Sequence, residues 1–271
     1  MPLFGFTNVA GSVITQTSVA IAQGTDADAQ AFIDAASITD STQISAVNQL
    51  VLDLKGYNIW TKMKAIYPVL GGSASSHAVN LVTPGTYNLT FSTGWTHSSD
   101  GMLPNGTSAF ADTFLIPANI LTSNSNHFSV YTRTNQTTNA VPIGSYTDSN
   151  RINQLNISTG TGLIYYTGSL STELLSTLTD SKGFFIGTTR ANNDRKTFRN
   201  GVEQKNLTTL VNTNYSIYKM YVGARNVSGS AANYTVQQIG FASIGDGLTD
   251  TEVADFYTAV QAYQTTLSRN V

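Results

Sequence analysis

The sequence has 271 residues, which is enough for one large domain or for one domain with a smaller appendage. Charged residues make up 11% of the chain and its net charge is −2, so we expect neither a nucleic acid partner nor attraction to an anionic membrane. The absence of cysteine excludes disulfides, thiolate catalysis and Cys-containing zinc sites, and no apolar run approaches the roughly 20 residues of a membrane-inserted helix.

Residues 1–24 carry no charged side chain and are predicted to form an extended arm. Apolar and β-branched residues recur at every second position from Val13 to Ile21, which is typical of a strand. The segment lacks the positively charged start of a signal peptide. Because an unpaired strand edge promotes association, we expect the arm to dock on a neighbouring chain. A disordered terminus is the alternative.

Residues 25–76 are predicted to be a helical segment with a linker at its end. Asp26 and Asp28 suit the start of a first helix. Asp40 stands three residues before Gln43, the spacing of a capping box, and predicts the start of a second helix.

Helical spacing of apolar residues predicts a third helix, which ends at Pro68 and contains Ile59, Met63, Ile66 and Tyr67. The glycine- and serine-rich run at 71–76 is then a linker.

Residues 77 to about 245 change to short runs rich in aromatic and β-branched residues, separated by Gly, Asn, Asp and Ser. Asn200-Gly201 predicts a two-residue hairpin turn. Many short strands without intervening helices favour an antiparallel β-sandwich.

The chain then reads as a well-capped helix. Thr249 and Glu252 have capping-box spacing. One helical face carries Val253, Phe256, Tyr257, Val260, Tyr263 and Leu267. A helix this amphipathic is expected to lie on an apolar surface of the sandwich.

Five segments form a recognisable series: "NGTSAFADT", "HFSVYTRTN", "KTFRNGVEQ" and "YKMYVGARN", followed by a final strand with "LTDTEVADFY". The first four resemble, in the same order, strands of the laminin-G-like and pentraxin-like domains of the concanavalin A-like superfamily, and the last is similar to the C-terminal signature of these domains. The resemblance implies a mainly β fold, a concanavalin A-like jelly roll spanning residues 77–271, with the C-terminal helix packed on it.

A second resemblance rests on the block from "DADAQAFIDAA" to "KAIYP", the "GGSASSH" after it and the ending from "FASIGDG". These segments are similar to segments of bacteriophage virion proteins, including fibre, spike and tail proteins that carry a laminin-G-like lectin domain. This implies a homo-oligomeric protein of the virion surface that contacts other capsid proteins through its N-terminal part and a host cell-surface glycan through its sandwich. A structural capsid decoration protein without glycan binding is the alternative.

The glucanases of this superfamily use two glutamates and an aspartate alternating on one strand. The glutamates here are Glu173, Glu203 and Glu252, which lie far apart and lack that pattern. We therefore expect no enzymatic activity, and a polysaccharide depolymerase remains only as a further alternative.

A sugar site is predicted in the polar loop "GWTHSSDGMLPNG", where Trp95 would stack on a sugar ring while His97, Asp100 and Asn105 bond its hydroxyl groups. Tyr166 is added as a binding residue because it and the preceding tyrosine fall on opposite faces of a strand. The competing interpretation is a turn whose tryptophan packs inward.

Calcium is common in the related domains, so it is a candidate cofactor here. The candidate ligands are Asp100, Asp112, Asp194 and Asp246. None of them belongs to a dense cluster of oxygen ligands, so no metal ligand is assigned.

A run of cationic residues from Arg190 to Lys205 has two interpretations. It is either an anion-binding ribbon or the solvated face of a hairpin, and the second is favoured.

Overall fold

The computed structural model describes residues 24–122, 124–168, 174–208 and 214–271. The arm predicted for residues 1–24 lies outside these ranges, apart from Gly24.

Helices flank the strands at both ends of the described chain. The α-helices are α1 (Ala27–Ala36), α2 (Ser41–Gly56), α3 (Ala74–His77), α4 (Pro117–Ile120) and α5 (Asp250–Thr266), with a 3₁₀ helix at Trp60–Lys62. The strands are β1 (Met63–Tyr67), β2 (Thr90–Phe91), β3 (Trp95–Ser98), β4 (Gly101–Pro104), β5 (Ala111–Asp112), β6 (Asn126–Thr132), β7 (Ile143–Asp148), β8 (Arg151–Ser158), β9 (Gly162–Gly168), β10 (Leu174–Ser176), β11 (Gly183–Ala191), β12 (Asp194–Arg199), β13 (Val202–Leu207), β14 (Tyr221–Val222), β15 (Arg225–Val227), β16 (Ser230–Ala232) and β17 (Ile239–Gly245).

Two sheets make up the sandwich. Among the described residues the first sheet has eight strands in the order β13-β12-β11-β6-β17-β4-β3, with β1 also paired to β17. The second has nine, in the order β10-β9-β8-β7-β14-β5-β2, with β15 and β16 attached at β7. Pairing is antiparallel except between β15 and β7. The predicted mainly β fold, an antiparallel sandwich with helices before and after it, is confirmed.

The first sheet is buried on both faces, so the molecule has three layers. Phe128 and Phe185 point toward the second sheet and join the core between the sheets. Tyr131, Phe184 and Phe241 point the other way and pack against α1, α2 and α5, which we call the helical layer. This alternation is what period-2 strands produce when apolar partners cover both faces.

The predicted C-terminal helix is confirmed together with its cap. Thr249 Oγ1 accepts from the backbone N–H of Glu252 at 3.2 Å, and the Glu252 carboxylate accepts from the N–H of Thr249 at 2.7 Å. Val253, Phe256 and Tyr263 are buried in the helical layer. The apolar surface predicted to lie beneath this helix is therefore the outer face of the first sheet.

Two other local signals are confirmed. Asp40 accepts a hydrogen bond from the N–H of Gln43 at 2.9 Å at the start of α2. Asn200 and Gly201 join β12 to β13 with φ values of 50° and 74°, and such paired positive values are those of a type I′ turn.

The predicted third helix is wrong. Met63–Tyr67 is strand β1, antiparallel to β17, and only Trp60–Lys62 before it is helical. Its second edge is also paired, because Ile66 accepts from Leu81 N and donates to Asn80 Oδ1. A five-residue segment with four apolar residues is too short to separate the two periods, so pairing with β17 decides its conformation.

The stretch predicted as a linker contains the start of helix α3, of which Ser76 and His77 are buried. Ser73 and Ser76 form a capping box at α3. Since β1 lies in the first sheet and α1 and α2 cover it, residues 25–76 and 77–271 share one core. The domain boundaries themselves stay a prediction.

No helix among the described ranges combines the length and the apolar character that a membrane crossing needs.

Arg269 ties the helical layer to the first sheet at one end of the molecule. Its side chain is 1% exposed. The guanidinium donates to the carbonyl oxygens of Val69 at 2.7 Å and Gly240 at 3.2 Å, and to Gln264 Oε1 at 3.0 Å. Burial lowers the pKa of Arg269 below its ordinary value. These carbonyl groups therefore satisfy a buried cation without a carboxylate contact.

Replacing Arg269 by Met should lower the free energy of unfolding by about 3 kcal/mol, because several buried acceptors lose their donor together. Chemical denaturation would measure the change. Arg151→Met is the matched control, since Arg151 forms a half-exposed pair with Asp148, and we expect it to cost less than about 1 kcal/mol. Equal losses in the two variants would contradict the role given to Arg269.

Candidate functional site

A cleft opens beside the second sheet, where the turn after β5 meets the segment leading into β14. Its volume is about 310 Å³. We call it the Tyr218 cleft, and it is lined by Asp112, Ile116, Ile217, Tyr218, Lys219, Tyr221, Asn226 and Gly229. It combines aromatic and aliphatic walls with a few polar groups, as small-molecule sites usually do.

The turn after β5 is firmly held. Asp112 pairs with Tyr221 across β5 and β14. Met220 donates its N–H to the carbonyl of Leu115 at 2.8 Å, and both of these side chains are buried between the sheets. The turn is thus held on one side by the pairing of β5 with β14 and on the other by the Met220–Leu115 hydrogen bond.

Phe114 stands on this turn next to the cleft; it is not a lining residue itself, but it contacts the lining residues Asp112 and Lys219. Its φ is 58°, in the left-handed region, and its side chain is 47% exposed. That backbone conformation costs a bulky residue about 1–2 kcal/mol. Asp112 Oδ1 accepts the N–H of Phe114 at 2.7 Å and helps to hold it. The fold therefore keeps the Phe114 ring exposed although its backbone conformation is unfavourable.

Lys219 joins the charged and aromatic groups of the cleft. Its ammonium nitrogen lies 2.9 Å from Asp112 Oδ2 and 4.1 Å from the centroid of the Phe114 ring. Lys219 is therefore held by an ion pair and a cation–π contact at once.

The remaining polar groups of the cleft are ordered by its own backbone. Asn226 Nδ2 donates to the carbonyl of Lys219 at 3.0 Å, and Asn226 Oδ1 accepts from Gly229 N at 2.8 Å. Tyr221 stacks on Phe110 with ring centroids 4.6 Å apart. Burial, with a smaller contribution from Asp112, raises the pKa of Tyr221 above its ordinary value.

The predicted sugar site centred on Trp95 has a different geometry. The Trp95 indole N–H donates to the carbonyl of Phe110 at 3.1 Å. The ring lies against Gly223 of the second sheet, where an added Cβ would come within 2.6 Å of it. Trp95 therefore packs toward the interior, as the competing interpretation of this loop described.

His97 lies two residues further along β3 and bonds another histidine. Its Nδ1 is 2.9 Å from Nδ1 of His77, which is 1% exposed. The Trp95 and His97 rings are stacked with centroids 6.2 Å apart, so the structure does bring these two predicted residues together.

The other predicted residues lie elsewhere. Asp100 is in the β3–β4 turn and pairs with Arg133 at 3.2 Å. Asn105, past the other end of the hairpin, accepts from the N–H groups of residues 107, 108 and 109. Tyr166 is on β9 in the second sheet, opposite Gln154, and its side chain lies outside the described residues. This five-residue site stays a prediction.

The four candidate calcium ligands each accept a cationic side chain. Asp100 bonds Arg133, Asp112 bonds Lys219, Asp194 bonds Arg190 and Asp246 bonds Lys64. In the described ranges, no group of three or more acidic or histidine side chains is placed to hold a metal ion. Calcium stays a prediction without assigned ligands.

The cationic run on β11–β13 is largely neutralised. Lys196 bonds Glu203 and Asp250, and Arg199 bonds Asp180. Arg195 is fully buried. This matches the solvated-hairpin interpretation better than an anion-binding ribbon.

Sequence reasoning missed the Tyr218 cleft because its walls lie far apart in the chain. Asp112 was read as part of one strand motif, and Tyr218 and Tyr221 as parts of a later one, while Phe114 fell just outside the first motif. The tyrosines in "SIYKMYVGARN" were the available signal, but tyrosine is equally common in strand cores.

No protein-family model matches the sequence, and no curated protein matches it. Solved structures do resemble it. A mutant Trypanosoma rangeli sialidase with trans-sialidase activity has a TM-score of 0.51 at 11% identity, over 83% of this chain and 39% of that one. Botulinum neurotoxin type C, whose cell entry depends on two ganglioside molecules, has a TM-score of 0.50 at 14% identity, over 75% of this chain and 52% of that one.

Domain 4 of an extracellular arabinanase from Geobacillus stearothermophilus, solved with arabinotriose, has a TM-score of 0.48 at 16% identity, over 72% of this chain and 98% of that one. The chain spans well under two thirds of the sialidase and toxin structures. At such low identities the sialidase and toxin likenesses show the β-sandwich fold alone.

Buried histidines make the stability of this fold depend on pH. Burial lowers the pKa of His77 to about 3, with help from His97 and Arg269, and lowers that of His127 to about 4. The unfolded chain, with histidine pKa values near 6.5, therefore takes up more protons than the folded one as the pH falls below that value.

We expect the free energy of unfolding to fall between about pH 6.5 and pH 4, by about 3 kcal/mol per buried histidine. Chemical denaturation at several pH values would measure it. His77→Gln keeps a group that can bond His97 but does not titrate, so its pH dependence should be shallower. A dependence parallel to that of the wild type would contradict this assignment.

Proposed function

We propose that this chain is a non-enzymatic protein of a bacteriophage virion surface, a spike or fibre, and that its sandwich binds a host-surface glycan in the Tyr218 cleft. The observation that carries the proposal is the cleft itself, where tyrosine and phenylalanine rings stand beside fixed amide, phenol and charged groups.

Sugar recognition needs both kinds of surface. The C–H faces of a sugar ring pack on aromatic rings, and its hydroxyl groups need donors and acceptors already in place. Tyr218, which lines the cleft, and Phe114, whose ring lies next to the lining under Lys219, supply the first. Asn226 and Tyr221 supply the second. Few groups need to be ordered on binding, because backbone hydrogen bonds already hold the cleft.

We propose that the cleft has no glycosidase activity because of the number of carboxylates that line it. Glycoside hydrolysis generally uses two carboxyl groups about 5–9.5 Å apart. Asp112 is the single carboxylate among the described residues that line the Tyr218 cleft, and it is bonded to Lys219. Glu203 and Glu252 are paired with lysines elsewhere, and Glu173 lies outside the described residues.

The virion assignment rests on the segments that resemble phage proteins. Because α1, α2 and β1 are built into the core, the proposed attachment falls to residues 1–23. A homo-oligomer would suit weak single sites, since linked sites raise avidity by about 10² to 10⁴.

Binding to intact cells that the parent phage infects tests the glycan proposal. The full chain displayed on beads should bind saturably, and periodate oxidation of the cell-surface sugars should abolish binding. Tyr218→Ala should weaken binding at least about tenfold, since aromatic contacts of this kind are worth about 1–3 kcal/mol. Val202→Ala is the matched control, because Val202 is 63% exposed and lies on β13 in the other sheet.

Absence of binding to these cells would contradict the proposal and favour a structural decoration protein. Release of reducing sugar by the purified chain would instead favour a depolymerase.

Removal of residues 1–23 should prevent incorporation into virions while leaving the sandwich folded, because every described helix and strand begins after them. Virion copy number and the melting temperature of the purified chain would be measured together. Incorporation at the normal copy number would contradict the anchoring role.

A further inference from the structure

The charged groups that line the Tyr218 cleft neutralise each other. Asp112 and Lys219 are its only charged lining residues in the described chain, and they are bonded at 2.9 Å. Asp112 is largely shielded from water, with 16% of its side chain exposed, and its other oxygen accepts the N–H of Phe114. The cleft therefore offers a ligand fixed dipoles and no net charge.

The Asp112–Lys219 ion pair disfavours binding of an anionic ligand. To bond Lys219, such a ligand would approach the Asp112 carboxylate or displace it. Displacement would leave a shielded carboxylate with its N–H bond from Phe114 but without its cation. Lys219 also lies over the Phe114 ring, so turning toward a ligand would give up this cation–π contact as well as the ion pair.

Phe114 gives the cleft an apolar contact that does not depend on charge. Its ring is 47% exposed, although Ile116 beside it and Leu115 turn into the cleft wall and the core. The left-handed backbone at φ 58° keeps this ring outside. A bulky residue held in such a conformation next to a cleft points to a role in binding, because strain of this kind persists where the surroundings impose it.

We infer that the Tyr218 cleft selects an uncharged sugar, whose apolar ring face lies on Phe114, over sugars that carry a carboxylate or phosphate. This inference rests on the proposed function, and it names the class of glycan that the site takes.

The test uses the sugars that the host itself presents. Oligosaccharides released from host cells by mild acid are separated by anion exchange into an uncharged and an acidic fraction. Each fraction competes with intact cells for the full chain at about 50 mM and about 500 mM NaCl, where screening differs strongly. We expect the uncharged fraction to compete equally at both salt concentrations.

Competition by the acidic fraction alone, weakened at the higher salt concentration, would overturn the inference and leave the proposed function standing. Competition by neither fraction, together with no periodate-sensitive binding to cells, would overturn both.

Phe114→Gly tests the ring separately from the backbone. Glycine adopts positive φ readily, so this variant should keep or raise the melting temperature while weakening binding of the uncharged fraction at least about tenfold. Phe114→Asn, which also tolerates this conformation, is the second variant, and Val202→Ala is the control. Unchanged binding in both folded Phe114 variants would overturn the role of the ring.

Discussion

Burial of the outer face of the first sheet is the constraint on which the rest of this structure depends. Phe184, Phe241 and Phe256 meet there edge to face, with centroids 5.1–5.9 Å apart. Fully burying each such side chain stabilises the fold by roughly 1.5–3 kcal/mol. The helical layer provides the cover, and α1 and α2 come from one end of the described chain while α5 comes from the other. The sandwich therefore needs its flanking helices to be stable.

This dependence explains which features the sequence could predict. The caps at Asp40 and Thr249 and the Asn200-Gly201 turn are local signals, and the structure confirms them. β1 was misassigned because its conformation is decided by β17, which is distant in sequence. The Tyr218 cleft was missed for a related reason, since the turn that carries Phe114 meets Tyr218 only after β5 pairs with β14. Nothing in a single run of residues indicates that contact.

Two arrangements of charged residues serve different purposes in this chain. Arg269 is buried among carbonyl groups and fastens the helical layer to the first sheet, so it serves stability. Asp112 and Lys219 are paired at the mouth of a cleft and hold an exposed aromatic ring beside them. The carbonyl groups around Arg269 satisfy a cation that is shielded from water. The second arrangement keeps a strained and exposed group where a more stable sequence would have glycine, which is the pattern expected of a binding site.

The central claim is that the Tyr218 cleft is where the chain binds sugar. The most direct measurement is to titrate the isotopically labelled full chain with the uncharged host oligosaccharides and to follow backbone amide chemical shifts. The account predicts saturable changes confined to Asp112–Ile116, Ile217–Tyr221 and Asn226–Gly229. Changes centred on the β3–β4 hairpin between Trp95 and Asn105 would contradict it and place the sugar at the site predicted from sequence instead.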